Sequence, residues 1–187
     1  MALKQTDLYK DILKIFQTKR MEPDPDNIGQ LRPAPNTMLI FAKELSDAYD
    51  KYAKDSETYA GDSLASTGKK AMNSVLDTLE ITGNTPAFVA LTISLSVVAY
   101  WGVSKYNIAP FPPGFSIVFT VITHPPTTPS FAGIQSAIIS GGEDTIQANL
   151  WAAALHKQTL SVATTHIGLD TTVPVPLPKT ESKKPIS

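Results

Sequence analysis

Charge is distributed so unevenly along this chain that it constrains every other reading. Of 16 basic and 17 acidic residues, 24 fall within the first 80 positions. The next 98 positions hold five: Lys105, Glu143, Asp144, Lys157 and Asp170. The remaining four are Lys179, Glu181, Lys183 and Lys184. An average soluble chain is roughly 25% charged. A half-chain far below that is hard to keep in water alone, because a domain of this size leaves much of its surface exposed. The sparse stretch therefore implies cover by protein partners, by copies of the chain itself or by lipid. The alternative is a neutral surface rich in Ser and Thr.

Other features narrow the class. The 187 residues suit one domain of ordinary size, or one domain with a tail. A net charge of −1 excludes the basic field of a dedicated nucleic-acid binder. With no cysteine there is no disulfide, thiol chemistry or Cys-based zinc site. Apolar residues make up 42%, enough for a core and too many for a disordered chain. The first residues lack the apolar run of a secretory leader, with Lys4, Asp7, Lys10 and Asp11 interrupting them.

Three helices are expected in the charged region. The first is capped by Thr6, with Leu8, Ile12, Ile15 and Phe16 on one face, and ends near Lys19-Arg20. Glu22 to Gly29 reads as a solvated linker broken by Pro23 and Pro25. The second helix, about 36–55, carries the stripe Met38, Phe41, Leu45, Ala48 and Tyr52, which favours packing within the chain over a coiled coil. Lys43, Glu44, Asp47, Asp50, Lys51 and Lys54 mostly take its solvated face. A third helix, capped by Asp62 or Ser63, gathers Leu64, Ala71, Met72, Val75 and Leu79 and stops at Gly83-Asn84.

Thr85-Pro86 is a specific helix start, an N-cap followed by proline at the first helical position. From Ile81 to Ser104 no residue is charged. Tyr100, Trp101 and Lys105 resemble the interfacial flank of a membrane helix. The clean apolar span, 88–103, is short of the roughly 20 residues needed to cross a bilayer, and it contains three hydroxyls. A helix buried in a protein core fits better, although Leu91, Ile93, Leu95 and Val97 alternate as a strand would. Phe115 to Thr123 reads as a strand with Phe115, Ile117, Phe119 and Val121 on one face. A helix from Pro129 to Ile139 buries Phe131, Ile134 and Ile138 and stops at Gly141-Gly142. The next helix opens on Glu143-Asp144, with Ile146, Leu150, Trp151, Ala154 and Leu155 inward. Thr159 to His166 reads as a second strand, and the shared Thr-His endings of the two strands suggest pairing in one sheet. Beyond Asp170 the Val-Pro-Val-Pro-Leu-Pro run is extended and has no core of its own. It suits a strand or polyproline contact along a neighbour.

Catalytic chemistry is missing from the sequence. His124, His156 and His166 have no metal-ligand spacing. His156 reads as a cation complementing a helix C-terminus, and His124 as a strand end. There is no G-x-S-x-G elbow, phosphate loop or dinucleotide fingerprint. Glu143 and Asp144 are adjacent, so they do not face each other as a glycosidase pair does. Catalytic, cofactor-binding and metal residues are expected to be none, and the chain is not expected to be an enzyme.

The run Ile146-Gln147-Ala148-Asn149-Leu150-Trp151-Ala152-Ala153-Ala154-Leu155-His156-Lys157-Gln158-Thr159-Leu160-Ser161-Val162 resembles the C-terminal part of small minor virion proteins of tailed bacteriophages. In those an alanine-rich helix ends in Leu-His and passes into a Thr/Val strand. Thr165-His166 and the Thr/Pro-rich sequence up to Pro178 look similar too. The resemblance implies a structural protein of the particle, at the capsid, neck, tail or baseplate, with no catalytic motif to carry over.

These readings predict an α+β fold. It comprises a charged helical region (1–80), a low-charge α/β core (81–169) with a long buried apolar helix and a small sheet, and an extended Pro-rich tail (170–187). Phe88, Trp101, Phe111, Phe115 and Trp151 are the candidate core or interface anchors, because aromatics bury the largest areas. The expected partners are other virion proteins and copies of the chain, not nucleic acid. The expected localisation is the virion, and the rival reading is a membrane-anchored protein using 81–104.

Overall fold

The computed structural model describes residues 3–18, 21–23, 25–33, 37–56, 63–80, 85–106, 115–123, 130–170 and 177–186. Among them lie the helices α1 (Gln5–Gln17), α2 (Thr37–Ala53), α3 (Lys69–Leu76), α4 (Pro86–Val103), α5 (Ser130–Ser140) and α6 (Asp144–Thr159), with a 3-10 turn at Asp77–Glu80. The strands are β1 (Met21–Pro23), β2 (Leu31–Pro33), β3 (Leu64–Ser66), β4 (Lys105–Tyr106), β5 (Phe115–Thr123), β6 (Ala163–Asp170) and β7 (Leu177–Pro185). The fold is α+β.

Each helix packs on the next in sequence, and α6 closes the cycle by packing on α1. The centre holds α4. The Thr85 side chain accepts from the Phe88 backbone N–H at 3.2 Å, and Pro86 follows in the first turn, so the start is as the sequence reads. The 91–97 stretch is helical, not a strand. The three hydroxyls that dilute this apolar helix are buried. Ser96 donates to the Ile93 carbonyl at 2.7 Å. Ser94 shares a 2.6 Å hydrogen bond with Ser130 of α5, and Ser130 in turn donates to the Gln158 side chain of α6. Gln158 Nε2 donates back to the Ser94 carbonyl at 3.0 Å. This closed polar node fixes three helices in one register, because a slip would leave buried groups without partners.

The N-terminus of α3 lies close against the backbone of α4. The Gly68 N–H donates to Ser104 Oγ at 3.0 Å, and Ser104 Oγ donates to the Tyr100 carbonyl at 2.7 Å. A Cβ at Gly68 would collide with the Tyr100 carbonyl. Gly133 of α5 allows a similar approach to α6, where a Cβ would come 2.9 Å from that of Ala154.

β5, β6 and β7 form one antiparallel sheet in that order. The two Thr/Val-rich strands do pair, with Thr120 opposite His166 and Val121 opposite Thr165. The C-terminal stretch is extended, and its 177–185 part is the third strand, hydrogen-bonded to β6. Ile186 is buried, and its N–H donates to the Val162 carbonyl at 3.2 Å.

Several expectations are corrected. Lys4, not Thr6, occupies the α1 N-cap, without a side-chain cap. The 22–29 linker lies largely in a hairpin, β1 against β2, whose turn places Gly29 at φ +87°. Both strands end on proline, which an edge position tolerates. Leu64 belongs to β3, paired with β4, so the third helix begins only at Lys69. Thr159 closes α6, and the second strand starts at Ala163. A bulge at Val118 interrupts the alternation within β5. The proposed stops at Lys19-Arg20 and Gly83-Asn84, and the start at Pro129, lie outside the described residues.

Candidate functional site

The described anchors occupy different places. Trp101 is only 1% exposed and belongs to the core. Its Nε1 donates to the Tyr49 hydroxyl at 2.8 Å, and its ring stacks on Tyr106 and meets Tyr100 edge-on. Thr159 Oγ1 donates to the Leu155 carbonyl, so the Tyr49 hydroxyl donates to Thr159 across 2.7 Å while accepting from Trp101. Tyr49 thereby ties α2, α4 and α6 together. Burial raises its pKa far above the usual phenol range, so the group keeps its proton.

Trp151 is 5% exposed and caps a second aromatic cluster. Phe16 and Phe41 stack at 6.0 Å, and both present their rings edge-to-face to Trp151, at 5.4 and 5.7 Å. These T-shaped contacts join α1, α2 and α6. Phe88 is half-buried against the core at the start of α4. Phe115 opens β5 opposite Asp170. Phe111 lies outside the described residues. Trp101 and Trp151 are therefore brought into one core, by separate clusters.

Ionisable groups sit around the same core. Asp50, expected on the solvated face of α2, is buried. Burial pushes its pKa up, but hydrogen bonds from Lys54, Thr67 and Tyr100 outweigh that and hold it below the ordinary carboxylate value. Lys54 Nζ lies 2.7 Å from one oxygen, and the Tyr100 hydroxyl donates to the other at 3.1 Å. His156 lies in the last turn of α6, as expected, and its ring is engaged by another helix. Its Nδ1 lies 2.5 Å from the Tyr52 hydroxyl, and burial lowers its pKa toward the neutral form. His124 is outside the described residues, and His166 lies on β6 opposite Glu181.

A cleft of about 280 Å³ between α1 and α2 is lined by Asp11, Lys14, Ile15, Glu44, Asp47 and Lys51. Lys51 bridges it to Asp11 at 2.7 Å, and Asp47 is ion-paired with Lys69. Among the described residues no group of three or more His, Asp or Glu side chains is placed to hold a metal ion.

The surface carries what the sequence reading missed. The exposed large apolar residues among those described are Ile28, Leu91, Leu95, Val103, Ile139, Ile146, Leu150 and Leu160. All but Ile28 come from the low-charge stretch. Ile146 and Leu150, expected inside, are 54% and 41% exposed. Trp151, Ala154 and Leu155 are buried as expected, and Ala148, Ala152, Gln158 and Thr159 complete the inner face of α6. Ile146 and Leu150 line an open groove with Tyr9 of α1. Leu91 and Leu95 stand one turn apart on α4. By length and composition α4 is also apolar enough to cross a membrane, and half of it is buried within the fold.

Comparison with known protein families, with curated proteins and with solved structures finds no match to this chain.

Proposed function

We propose that this chain is a non-enzymatic structural component of a viral particle, working by packing against copies of itself and other particle proteins. One observation carries the assembly part of this reading. The stretch with almost no charge supplies seven of the eight exposed large apolar residues among those described. Covering such a side chain is worth on the order of 1–2 kcal/mol. A set of them on a stretch with so few charges suits a surface that is covered in use. The particle part rests on the resemblance of residues 146–178 to tailed-phage virion proteins, which supports a capsid, neck, tail or baseplate location.

The test is gradient sedimentation of the protein from its native source, with and without mild detergent. Sedimentation with large particles in both conditions supports the proposal. A double substitution, Ile146→Ser with Leu150→Ser, then reduces incorporation while leaving thermal stability near that of the parent. Flotation with lipid, reversed by detergent and abolished by Leu95→Glu, overturns it in favour of a membrane role for α4.

A further inference from the structure

The three-stranded sheet has two edges of opposite character. The β7 edge carries Pro178, Lys179, Glu181, Lys183, Lys184 and Pro185. Prolines and charges of this kind keep an edge from pairing with another strand. The β5 edge, Phe115–Thr123, carries none of them. Among the described residues β5 is hydrogen-bonded to β6 on one side and to no strand on the other. In an antiparallel ladder every second residue turns its N–H and C=O away from the partner. The outer side of β5 is thus a row of backbone donors and acceptors on an uncharged strand of β-branched and aromatic residues.

We infer that this edge pairs with the β5 edge of a second copy of the chain, in an antiparallel ladder about a twofold axis. Charge and length select the occupant. Among the described strands longer than three residues, β5 alone has neither charge nor proline. The bulge at Val118 sets the register. On its far side, 119–123 pairs residue for residue with 163–167, a regular run of ordinary strand length. Two such runs pair with Val121 opposite Val121, Thr120 opposite Ile122 and Phe119 opposite Thr123. No like charges are opposed. The result is a six-stranded sheet whose two outer edges are both β7. Assembly by this route stops at the dimer, because the remaining edges resist pairing. The inference deepens the assembly reading and rests on it in taking the low-charge half as covered.

The absence of cysteine makes the test direct. Residues opposite each other on antiparallel strands have Cα atoms roughly 4.5–5.5 Å apart, within disulfide reach. In the full chain, Val121→Cys is expected to form a covalent dimer under mild oxidation, whereas Lys183→Cys and Leu150→Cys stay uncoupled. Analytical sedimentation of the cysteine-free chain gives a dimer. Thr120→Pro and Val121→Pro fall on successive residues, so one removes an N–H facing β6 and the other an N–H facing outward. The outward one yields a folded chain that dimerises at least about tenfold more weakly. A monomer at high concentration, or coupling strongest at Leu150→Cys, overturns the inference. A monomer that still joins particles overturns the strand pairing alone. A dimer that never joins them overturns the particle role alone.

Discussion

The Tyr52 hydroxyl and His156 Nδ1 lie 2.5 Å apart, joining α2 to α6 across 104 positions of sequence. Their rings also meet at 5.9 Å. The histidine is half-buried, and burial holds its folded pKa below the ordinary value of 6.5. Above that value the ring is neutral in both folded and unfolded chains, so its contribution to stability is fully present. As pH falls below it, the unfolded chain takes up the proton first and stability declines. Below the folded pKa the decline levels off. Urea unfolding of the parent is expected to weaken between about pH 7 and pH 5. His156→Gln should flatten that slope. An unchanged slope in the variant would assign the effect to another group.

Gly68 and Gly102 should respond to alanine with opposite signs. At Gly68 the added methyl meets the Tyr100 backbone carbonyl, which cannot swing aside as a side chain can. Gly68→Ala is expected to destabilise by about 3 kcal/mol. At Gly102, inside α4, nothing lies within 4 Å. Gly102→Ala is expected to stabilise by about 0.5–1 kcal/mol, through helix propensity alone. Denaturant midpoints at constant m-value read both.

The node at Gln158 should show coupling. Gln158→Ala removes the acceptor of the Ser130 hydroxyl and one donor to the Ser94 carbonyl in a fully buried site, at a cost of about 1–3 kcal/mol. Ser94→Ala should then cost clearly less in the Gln158→Ala background than in the parent. A double-mutant cycle measures the difference, and strict additivity would mean the node is not cooperative.

Local start and stop signals and the buried faces of α1 and α2 were legible in the sequence, and the full inner face of α6 was not. Thr85-Pro86 places a helix start unaided, because a cap and a ring-fixed φ act within four residues. Gly141 and Gly142, at φ +61° and +118°, stop α5 for an equally local reason. On α6 the expected Trp151, Ala154 and Leu155 are buried, but Ile146 and Leu150, assigned inward as large aliphatics, are exposed. Their places in the buried stripe are taken by Ala148 and Ala152, small enough for the helix to lie close to its neighbours. Asp50 was placed outside by its charge, and the Tyr100 and Thr67 groups that make its burial tolerable come from distant sequence. Of the candidate anchors, Trp101 and Trp151 were legible as buried aromatics. Which clusters they would join was not, since Phe16, Phe41 and Tyr49 are far away in sequence.

Trp151 should tolerate phenylalanine far better than alanine. Removing the ring opens a hole beside the stacked Phe16 and Phe41, and Trp151→Ala is expected to cost about 3–5 kcal/mol. The indole Nε1 is buried without a hydrogen-bond partner among the described residues. Trp151→Phe therefore loses no hydrogen bond and keeps an aromatic edge toward the pair, for a cost below about 1.5 kcal/mol. Thermal unfolding of the two variants separates the effects.

The closed cycle of helices has a consequence in time. Leu8, Ile12 and Ile15 of α1 are buried against partners that include α6. That partner leaves the ribosome well over a hundred residues later. During synthesis the first helix therefore waits, amphipathic and half-covered, through the emergence of every other helix. The charged first 80 residues are suited to that interval, since they keep the nascent chain soluble while its apolar half is still being made. Residues 177–186 arrive later still, and until they do β6 has a bare edge. Chains stalled before that point would be the ones a chaperone has to hold.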